Sequence, residues 1–175
     1  MSKNSKGKRT MNIMVFGLPG SGKSYFAERL AEKIDAEYVS SDRLRKELFP
    51  SRTYSDHEKA AVYDTMLKKL EETNTKKENL VFDATFYKKE TRELFIKKAK
   101  NNSRFIEVWA DEPVIKARLK ESRPYSDADF EVHKLIKQEW EPLERPHLRL
   151  ESRNDNIDVM LQKAMEYLKN EKKSN

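Results

Sequence analysis

Three of the four glycines in this 175-residue chain lie within one eight-residue segment, Gly17-Leu18-Pro19-Gly20-Ser21-Gly22-Lys23-Ser24. The segment is a complete G-x-x-x-x-G-K-[ST] phosphate-binding loop. The apolar run Ile13-Met14-Val15-Phe16 precedes it and predicts a buried strand. Apolar residues at helical spacing follow it, namely Ala27, Leu30, Ala31 and Ile34. Because strand, loop and helix come in this order, the segment predicts a binding site for a nucleoside triphosphate.

The residues of this loop match what a polyphosphate requires. Backbone N–H groups can wrap the anion only where no side chain blocks their approach, which explains the glycines. The helix that begins near Lys23 directs its positive dipole end to the same anion. Lys23 is expected to place a charge against the β- and γ-phosphates of ATP, and the Ser24 hydroxyl to ligate Mg²⁺. The predicted nucleotide contacts are Gly17, Gly20, Ser21, Gly22, Lys23 and Ser24.

Composition indicates a compact core under a heavily charged surface. Charged residues make up 38% of the chain, hydrophobic residues 37%, and the formal net charge is +6. The two ends are polar and basic, so disordered tails are predicted at residues 1–10 and 171–175 around a single domain at 11–170. The positive balance is compatible with polyanion binding, but a nucleotide site also needs positive charge, so it discriminates weakly.

Residue types that are missing exclude several kinds of chemistry. There is no cysteine, which excludes disulfides, cysteine catalysis and thiolate metal sites. The three histidines show no metal-ligand spacing. The N-terminus lacks an apolar signal core, and no apolar run reaches membrane-spanning length. We therefore expect a cytoplasmic protein without membrane association, and no obligate protein partner is evident.

Strand-like and helix-like segments alternate along the chain. Strands are predicted near residues 13–16, 37–40, 79–83, 105–109 and 147–151, and the later helices near 113–123, 126–140 and 159–168. The alternation predicts an α/β fold with a parallel sheet and helices on both faces. Ligands of such sheets bind beyond the carboxyl ends of the strands. The residues directly after each predicted strand are therefore the candidates for chemistry.

Asp83 ends the third predicted strand and is followed by Ala84. It fits the second acidic element of a phosphate-loop enzyme, which holds Mg²⁺ directly or through water. A carboxylate that caps the following turn is the simpler alternative. Many motor-type ATPases have a water-activating Glu after this Asp, so Ala84 disfavours a water-attacking ATPase. A guanine-reading N-K-x-D motif is also missing, which disfavours a GTPase.

Asp42 and Arg45 follow the second predicted strand. Asp42 could accept the proton of an attacking hydroxyl, or cap the helix that begins there, and the two roles are compatible. Arg45 lies one helical turn later on the same face and could bind an anionic part of the acceptor.

Arg118 and Arg123 lie on and just after a predicted helix, before the loop Pro124-Tyr125-Ser126-Asp127. A basic helix end that leads into a short loop suits a closing lid, whose arginines neutralise charge on the transferred phosphoryl group. A solvated charged helix face, shared with Lys116 and Lys120, is the alternative.

Four segments together resemble a known family: G-L-P-G-S-G-K-S at 17–24, S-S-D-R-L-R-K-E-L at 40–48, V-F-D-A-T at 81–85 and R-P-Y-S-D-A-D at 123–129. They are similar to the small phosphate-loop kinases called predicted kinases or AAA-like ATP-binding domains. That group is related to the kinase domain of polynucleotide 5′-hydroxyl kinases, and more distantly to zeta-toxin-like and chloramphenicol kinases. The resemblance covers roughly residues 11–145.

The resemblance implies a three-layer P-loop fold with a five-stranded parallel sheet in the order 2-3-1-4-5. It implies Asp42 as general base, Arg45 as an acceptor contact, and Arg118 with Arg123 as lid arginines. ATP and Mg²⁺ would be held by Lys23 and Ser24. It does not supply the acceptor.

Three functional hypotheses remain open. The first is an ATP- and Mg²⁺-dependent phosphotransferase acting on a hydroxyl, with the 5′ end of DNA or RNA as favoured acceptor. A small hydroxylated metabolite, nucleoside or antibiotic is nearly as well supported, because no basic run with interleaved aromatics is present. The third is a non-catalytic ATP-binding switch, which would need neither Asp42 nor a lid.

Overall fold

Five parallel strands form one sheet in the order β2-β3-β1-β4-β5. The structure, a computed structural model, describes residues 10–100 and 102–171. The strands are β1 Asn12–Phe16, β2 Ala36–Ser40, β3 Asn79–Asp83, β4 Ser103–Trp109 and β5 Leu148–Glu151. The α/β class predicted from the alternation of segments is confirmed, and so is the strand order that the family resemblance implies.

Seven helices connect and cover these strands in the part of the chain that is described. They are α1 Lys23–Ile34, α2 Ser41–Leu48, α3 Asp56–Lys76, α4 Lys89–Lys98, α5 Glu112–Leu119, α6 Phe130–Gln138 and α7 Ile157–Glu171. Among residues 10–100 and 102–171, none of the helices combines the length and the apolar character needed to cross a bilayer.

The alternation of side chains along the central strand produces two separate cores. Ile13 and Val15 of β1 point to one face, where they pack with α1 and α7. Met14 and Phe16 point to the other face, where they pack with α3 and α4. Because β1 is buried on both faces, it reads in the sequence as a continuous apolar run. The strand that leads into the phosphate loop is thus buried along its whole length, as is the neighbouring β3.

Serine caps fix the helices that flank the site. The Ser40 hydroxyl accepts a hydrogen bond from the Arg43 backbone N–H and caps α2. The Ser55 hydroxyl accepts from the Glu58 N–H and caps α3, as the capping pattern predicts. Since the Ser40 side chain caps α2, the helix does not require the Asp42 side chain as its cap.

The segment between α5 and α6 is longer than the sequence pattern predicts. The predicted helices at 113–123 and 126–140 leave two residues between them, whereas the structure leaves residues 120–129 non-helical. Asp129, not Ser126, caps α6, because its carboxylate accepts from the Val132 N–H at 3.0 Å. The tails predicted at 1–10 and 171–175 lie outside the described residues, except for their innermost residues.

Candidate active site

The phosphate loop joins β1 to α1 in a conformation that needs its glycines. Gly20 and Gly22 have φ angles of 82° and 92°, which L side chains rarely adopt. Gly17 is required for a different reason: a Cβ there would lie 2.2 Å from the backbone oxygen of Val108 on β4. The three glycines therefore allow the loop to turn tightly against the neighbouring strand.

Two polar side chains of this loop are buried: Lys23 is 8% exposed and Ser21 is 1% exposed. Within residues 10–100 and 102–171, the Ser21 hydroxyl has no hydrogen-bond partner. Burying an unpaired hydroxyl and a cation is costly, so the arrangement fits an occupant that supplies negative oxygens. A triphosphate at the N-terminus of α1 would do so. Ser24 follows on the first turn of α1 and is exposed.

Asp42 lies at the start of α2 among several charges. Burial raises the pKa of its carboxyl above the usual value, and the nearby negative charge of Asp83 adds to this. The positive charges of Lys23, Arg45 and Arg123 act in the opposite direction. Arg45 also approaches Asp42 directly, with 3.4 Å between Nη1 and Oδ1. A partly desolvated carboxylate with a raised pKa is what a general base for an alcohol requires.

Asp83 is held in place by the neighbouring strand. It is 2% exposed, and its Oδ2 accepts a 2.7 Å hydrogen bond from the Tyr38 hydroxyl. It pairs in register with Val15 on one side and Ser40 on the other, which sets it next to the phosphate loop. Asp83 and Ser24 offer the oxygen ligands that Mg²⁺ prefers. Residues 10–100 and 102–171 contain no group of three or more acidic or imidazole side chains suited to a metal, so phosphate and water oxygens would complete the set.

Arg118 is oriented towards the outside of the phosphate loop. Its Nη1 donates to the backbone oxygens of Gly20 and Ser21 at 3.3 and 3.1 Å, and its Nε and Nη2 donate to Asn154 Oδ1 at 3.3 and 3.1 Å. A cavity of about 480 Å³ lies beside it, lined by α5 and Asn154. Arg118 therefore joins the phosphate loop to the segment that follows β5.

Arg123 lies close enough to Asp42 for the two charges to interact. The charges of Asp42 and Asp127 act on it, although burial lowers the pKa of its guanidinium overall. Its Nη2 donates to the backbone oxygen of Ala128, within the same irregular segment. Of the two predicted lid arginines, the structure thus brings only Arg123 to the predicted base.

The segment at residues 123–129, here called the lid loop, is fastened to the region after α2. Arg52 donates to Asp127 Oδ2 from Nε at 3.0 Å and from Nη2 at 2.8 Å, and the Tyr54 hydroxyl donates to the same oxygen at 2.7 Å. Lys46 adds a 3.1 Å hydrogen bond to the backbone oxygen of Pro124. These contacts hold the lid loop in place, where its residues Ser126, Asp127 and Ala128 line a cavity.

A cavity of about 1,040 Å³ opens on Lys23, Asp42 and Arg45. Helices α3, α4 and α6 and the lid loop form its other walls. This volume is at the upper end of the range for small-molecule sites. The cavity is closed on the nucleotide side by Pro19, whose backbone oxygen lies 3.0 Å from Nδ1 of the buried His133 on α6. It is the space in which a phosphate acceptor could meet Asp42.

The sequence predicted that the segments containing Lys23, Asp42, Arg45 and Asp83 converge on one cleft. It did not indicate several other residues that shape the site. Tyr38 was part of a predicted strand, and its alternation with Val39 places it on the opposite face of the sheet, where it packs against the core beneath α1 and α7. His133 and the pair of Arg52 and Asp127 carry no local signal, because their partners are distant in sequence.

Comparison with known proteins places this chain in a family. A family model described as an AAA domain, AAA_33, matches residues 13–143. The adenylate kinase of Pyrococcus furiosus is 54% identical over 39 residues, which is 22% of this chain and 18% of the kinase, so the match spans less than a fifth of that relative.

Two solved structures are similar over nearly their whole length. A sugar kinase from Janibacter sp. HTCC2649 has a TM-score of 0.72 and 16% identity, over 91% of this chain and 95% of the kinase. The Mycobacterium tuberculosis APS kinase CysC, in complex with AMPPNP and APS, has a TM-score of 0.67 and 21% identity, over 93% of this chain and 99% of that one. The fold is that of P-loop kinases, and the chain belongs to the AAA domain family AAA_33.

Proposed function

We propose that this protein is an ATP- and Mg²⁺-dependent phosphotransferase that moves the γ-phosphate to a hydroxyl of a small molecule. The observation that carries the proposal is the position of Asp42. Its half-buried carboxylate, with a raised pKa, lines the same cavity as Lys23 of the phosphate loop. A base and a phosphate-binding lysine in one cavity are the two groups that transfer to an alcohol requires.

The nucleotide would lie along the phosphate loop and the start of α1. Lys23 and the backbone N–H groups of Gly20 to Ser24 would bind the β- and γ-phosphates. Ser24 and Asp83 would hold Mg²⁺, which when bound neutralises charge on the phosphate oxygens. The orphaned Ser21 hydroxyl would also find a phosphate partner. We assign the nucleoside end to the cavity of about 480 Å³ beside Arg118.

Transfer itself would require little covalent work from the protein. The acceptor oxygen attacks the γ-phosphorus while the bond to the bridging oxygen of ADP breaks, and the hydroxyl proton passes to Asp42. Arg123 interacts electrostatically with Asp42 and would neutralise charge that develops on the transferred group. The closed lid loop would exclude water, which otherwise competes as acceptor.

The walls of the cavity favour a small acceptor over a polynucleotide end. Single-stranded nucleic acids bind grooves with an excess of positive charge along the backbone track. Here the cavity has four basic and six acidic side chains: Lys23, Arg45, Lys59 and Lys88 against Asp42, Asp56, Asp64, Glu90, Asp127 and Glu139. The kinases with similar folds named above, a sugar kinase and an APS kinase, support a small-molecule acceptor.

A non-catalytic switch is the less favoured alternative. A switch needs the phosphate loop and a segment that nucleotide can order, but it needs no enclosed space for a second substrate. The cavity at Asp42 and the closed lid loop therefore support an enzyme.

The test is transfer of label from γ-labelled ATP with Mg²⁺ to a pool of small alcohols and, separately, to a 5′-hydroxyl oligonucleotide. Wild type and Asp42→Asn are assayed together, with ATP binding measured for both. Label on a small alcohol that is lost in Asp42→Asn supports the proposal. Label on the oligonucleotide alone moves the acceptor to a polynucleotide. Tight ATP binding without any transfer supports the switch.

A further inference from the structure

Helix α6 directs an apolar stripe into the cavity and not into a core. Val132, Leu135 and Ile136 line the cavity, together with Glu139 one turn further. This i, i+3, i+4, i+7 spacing is one face of a helix. Leu135 is 62% exposed, and within the described residues none of the three apolar side chains belongs to a core cluster. The stripe has no protein partner to explain it.

Helices α3 and α4 complete this apolar chamber. The residues of α3 that line the cavity recur at helical spacing and include Ala60, Tyr63 and Leu67. From Asp56 to Leu67 this face runs about 16 Å along the helix. Leu94 of α4 adds a further large apolar side chain and is 53% exposed. The far part of the cavity is therefore built from three helices that expose apolar surface to one another across open space.

Polar groups that can fix a hydroxyl occur at the other end. Asp42 and Arg45 belong to α2, beside the phosphate loop, and the Arg45 side chain is 11% exposed with no partner for its Nε. A buried guanidinium N–H that lacks an acceptor calls for one from the ligand. The cavity thus has one polar end at the predicted base and one apolar body.

The charges at the rim are largely paired. Lys59 and Lys88 are paired with Asp56 and Glu139, at 3.8 and 3.6 Å. Asp64 and Asp127 also line the cavity and are paired with Lys68 and Arg52, at 2.9 and 2.8 Å. The selection of a ligand therefore rests on the apolar walls and on the polar end at Asp42 and Arg45.

We infer that the acceptor is an alcohol with an apolar body, which the chamber formed by α3, α4 and α6 surrounds while the hydroxyl is held at Asp42 and Arg45. The inference rests on the proposed function, because it takes the occupant of the cavity to be the phosphate acceptor. It separates this protein from kinases of free sugars, whose acceptors have no apolar body to bury.

Binding of straight-chain alcohols tests the chamber without requiring transfer. Butanol, hexanol and octanol are titrated by calorimetry into the full chain loaded with AMPPNP and Mg²⁺, beside glycerol and glucose. Each two-carbon extension is expected to raise affinity by up to about fifteenfold, with a negative heat-capacity change. Affinity that does not rise from butanol to octanol overturns the inference.

Leu135→Gln supplies the matched variant, with Val159→Gln as its control. Both leucine and valine are exposed on helix surfaces, at 62% and 50%, so neither replacement should prevent folding. Leu135→Gln is expected to weaken octanol binding by about three- to tenfold and butanol binding less, whereas Val159→Gln on α7 should change neither. Equal effects of the two variants would place the alcohols elsewhere and overturn the inference.

Transfer assays on the same alcohols keep the two proposals distinguishable. Chain-length-dependent binding with no transfer of γ-phosphate to any alcohol supports the apolar chamber and contradicts the proposed kinase. Transfer to glucose or to an oligonucleotide, with no effect of chain length, supports a kinase and overturns the inference.

Discussion

The hydroxyl of Tyr38 donates a 2.7 Å hydrogen bond to Oδ2 of Asp83, across the pair of strands β2 and β3. Burial and the adjacent carboxylate raise the pKa of Tyr38 above its ordinary value, so the phenol stays protonated and remains a donor. The carboxylate that we propose for Mg²⁺ is therefore oriented by a neighbouring strand before any ligand binds.

Replacing Tyr38 with Phe should loosen this carboxylate. Asp83 would lose its donor in a buried position, so the free energy of unfolding should fall by about 1–2 kcal/mol. The Mg²⁺ concentration for half-maximal activity should rise by about tenfold, as expected for a group that orients a metal ligand. Urea unfolding and a Mg²⁺ titration measure the two effects. Tyr25→Phe, at an exposed tyrosine, is the control and should change neither.

Asp42→Asn should lower the rate of transfer by about 10²–10⁴ and leave ATP affinity nearly unchanged, because only the proton acceptor is lost. In the wild type, activity should fall as pH drops through the pKa of Asp42. That pKa is raised, so the fall should occur at higher pH than for an ordinary aspartate near 4. A pH profile of kcat measures this. Asp158→Asn, an exposed position on α7, should retain the wild-type profile.

Asp42→Asn should also stabilise the folded protein at neutral pH. A carboxyl whose pKa is raised on folding binds its proton more tightly in the native state, so stability falls as pH rises from the unfolded pKa through the folded one. Asn removes that penalty. Unfolding free energies of Asp42→Asn and wild type should therefore differ at pH 7 and converge below pH 4. A lower stability of the variant at pH 7 would contradict the raised pKa.

Arg118→Gln and Arg123→Gln should affect different kinetic constants. Arg118 contacts the outside of the phosphate loop and Asn154, so its loss should raise KM for ATP by about tenfold with a smaller effect on kcat. Arg123 lies by Asp42, so its loss should lower kcat by about 10²–10³. Steady-state kinetics of both variants measure this, and the opposite assignment of effects would contradict the placement.

Asp127→Asn should weaken closure of the lid loop. Its carboxylate accepts from Arg52 and Tyr54, and the exposed ion pair is worth little, so KM for the acceptor should rise only about threefold. KM for ATP should not change. Asp158→Asn again serves as control. A large loss of kcat in Asp127→Asn would mean that the lid loop contributes to the chemical step and not only to closure.

The part of the site that follows the strands could be predicted from the sequence. Gly17 follows β1 directly, Asp42 lies two residues after β2, and Asp83 is the last residue of β3. Parallel strands bring their carboxyl ends to one edge of the sheet, so the proximity of these residues follows from their order in the chain. The sheet order was implied by the resemblance and is confirmed.

The remaining part depends on how helices cross, which no local pattern encodes. Arg118 and Arg123 are five residues apart, yet Arg118 donates to backbone oxygens of the phosphate loop and Arg123 interacts electrostatically with Asp42, because residues 120–129 are not helical. The stripe at Val132 and Leu135 could have been taken for a core face. Only the position of α6 relative to α3 and α4 shows that this stripe faces the cavity.

The lid loop and the helix α6 that follows it are held by contacts of different kinds. His133 is 1% exposed and lies against the Pro19 backbone oxygen, whereas Asp127 is held by surface contacts. The exposed end should therefore release first, and the acceptor should enter beside Tyr54 without disturbing the nucleotide loop. ATP and the acceptor would then bind in either order, and the phosphorylated product would be able to leave while ADP is still bound.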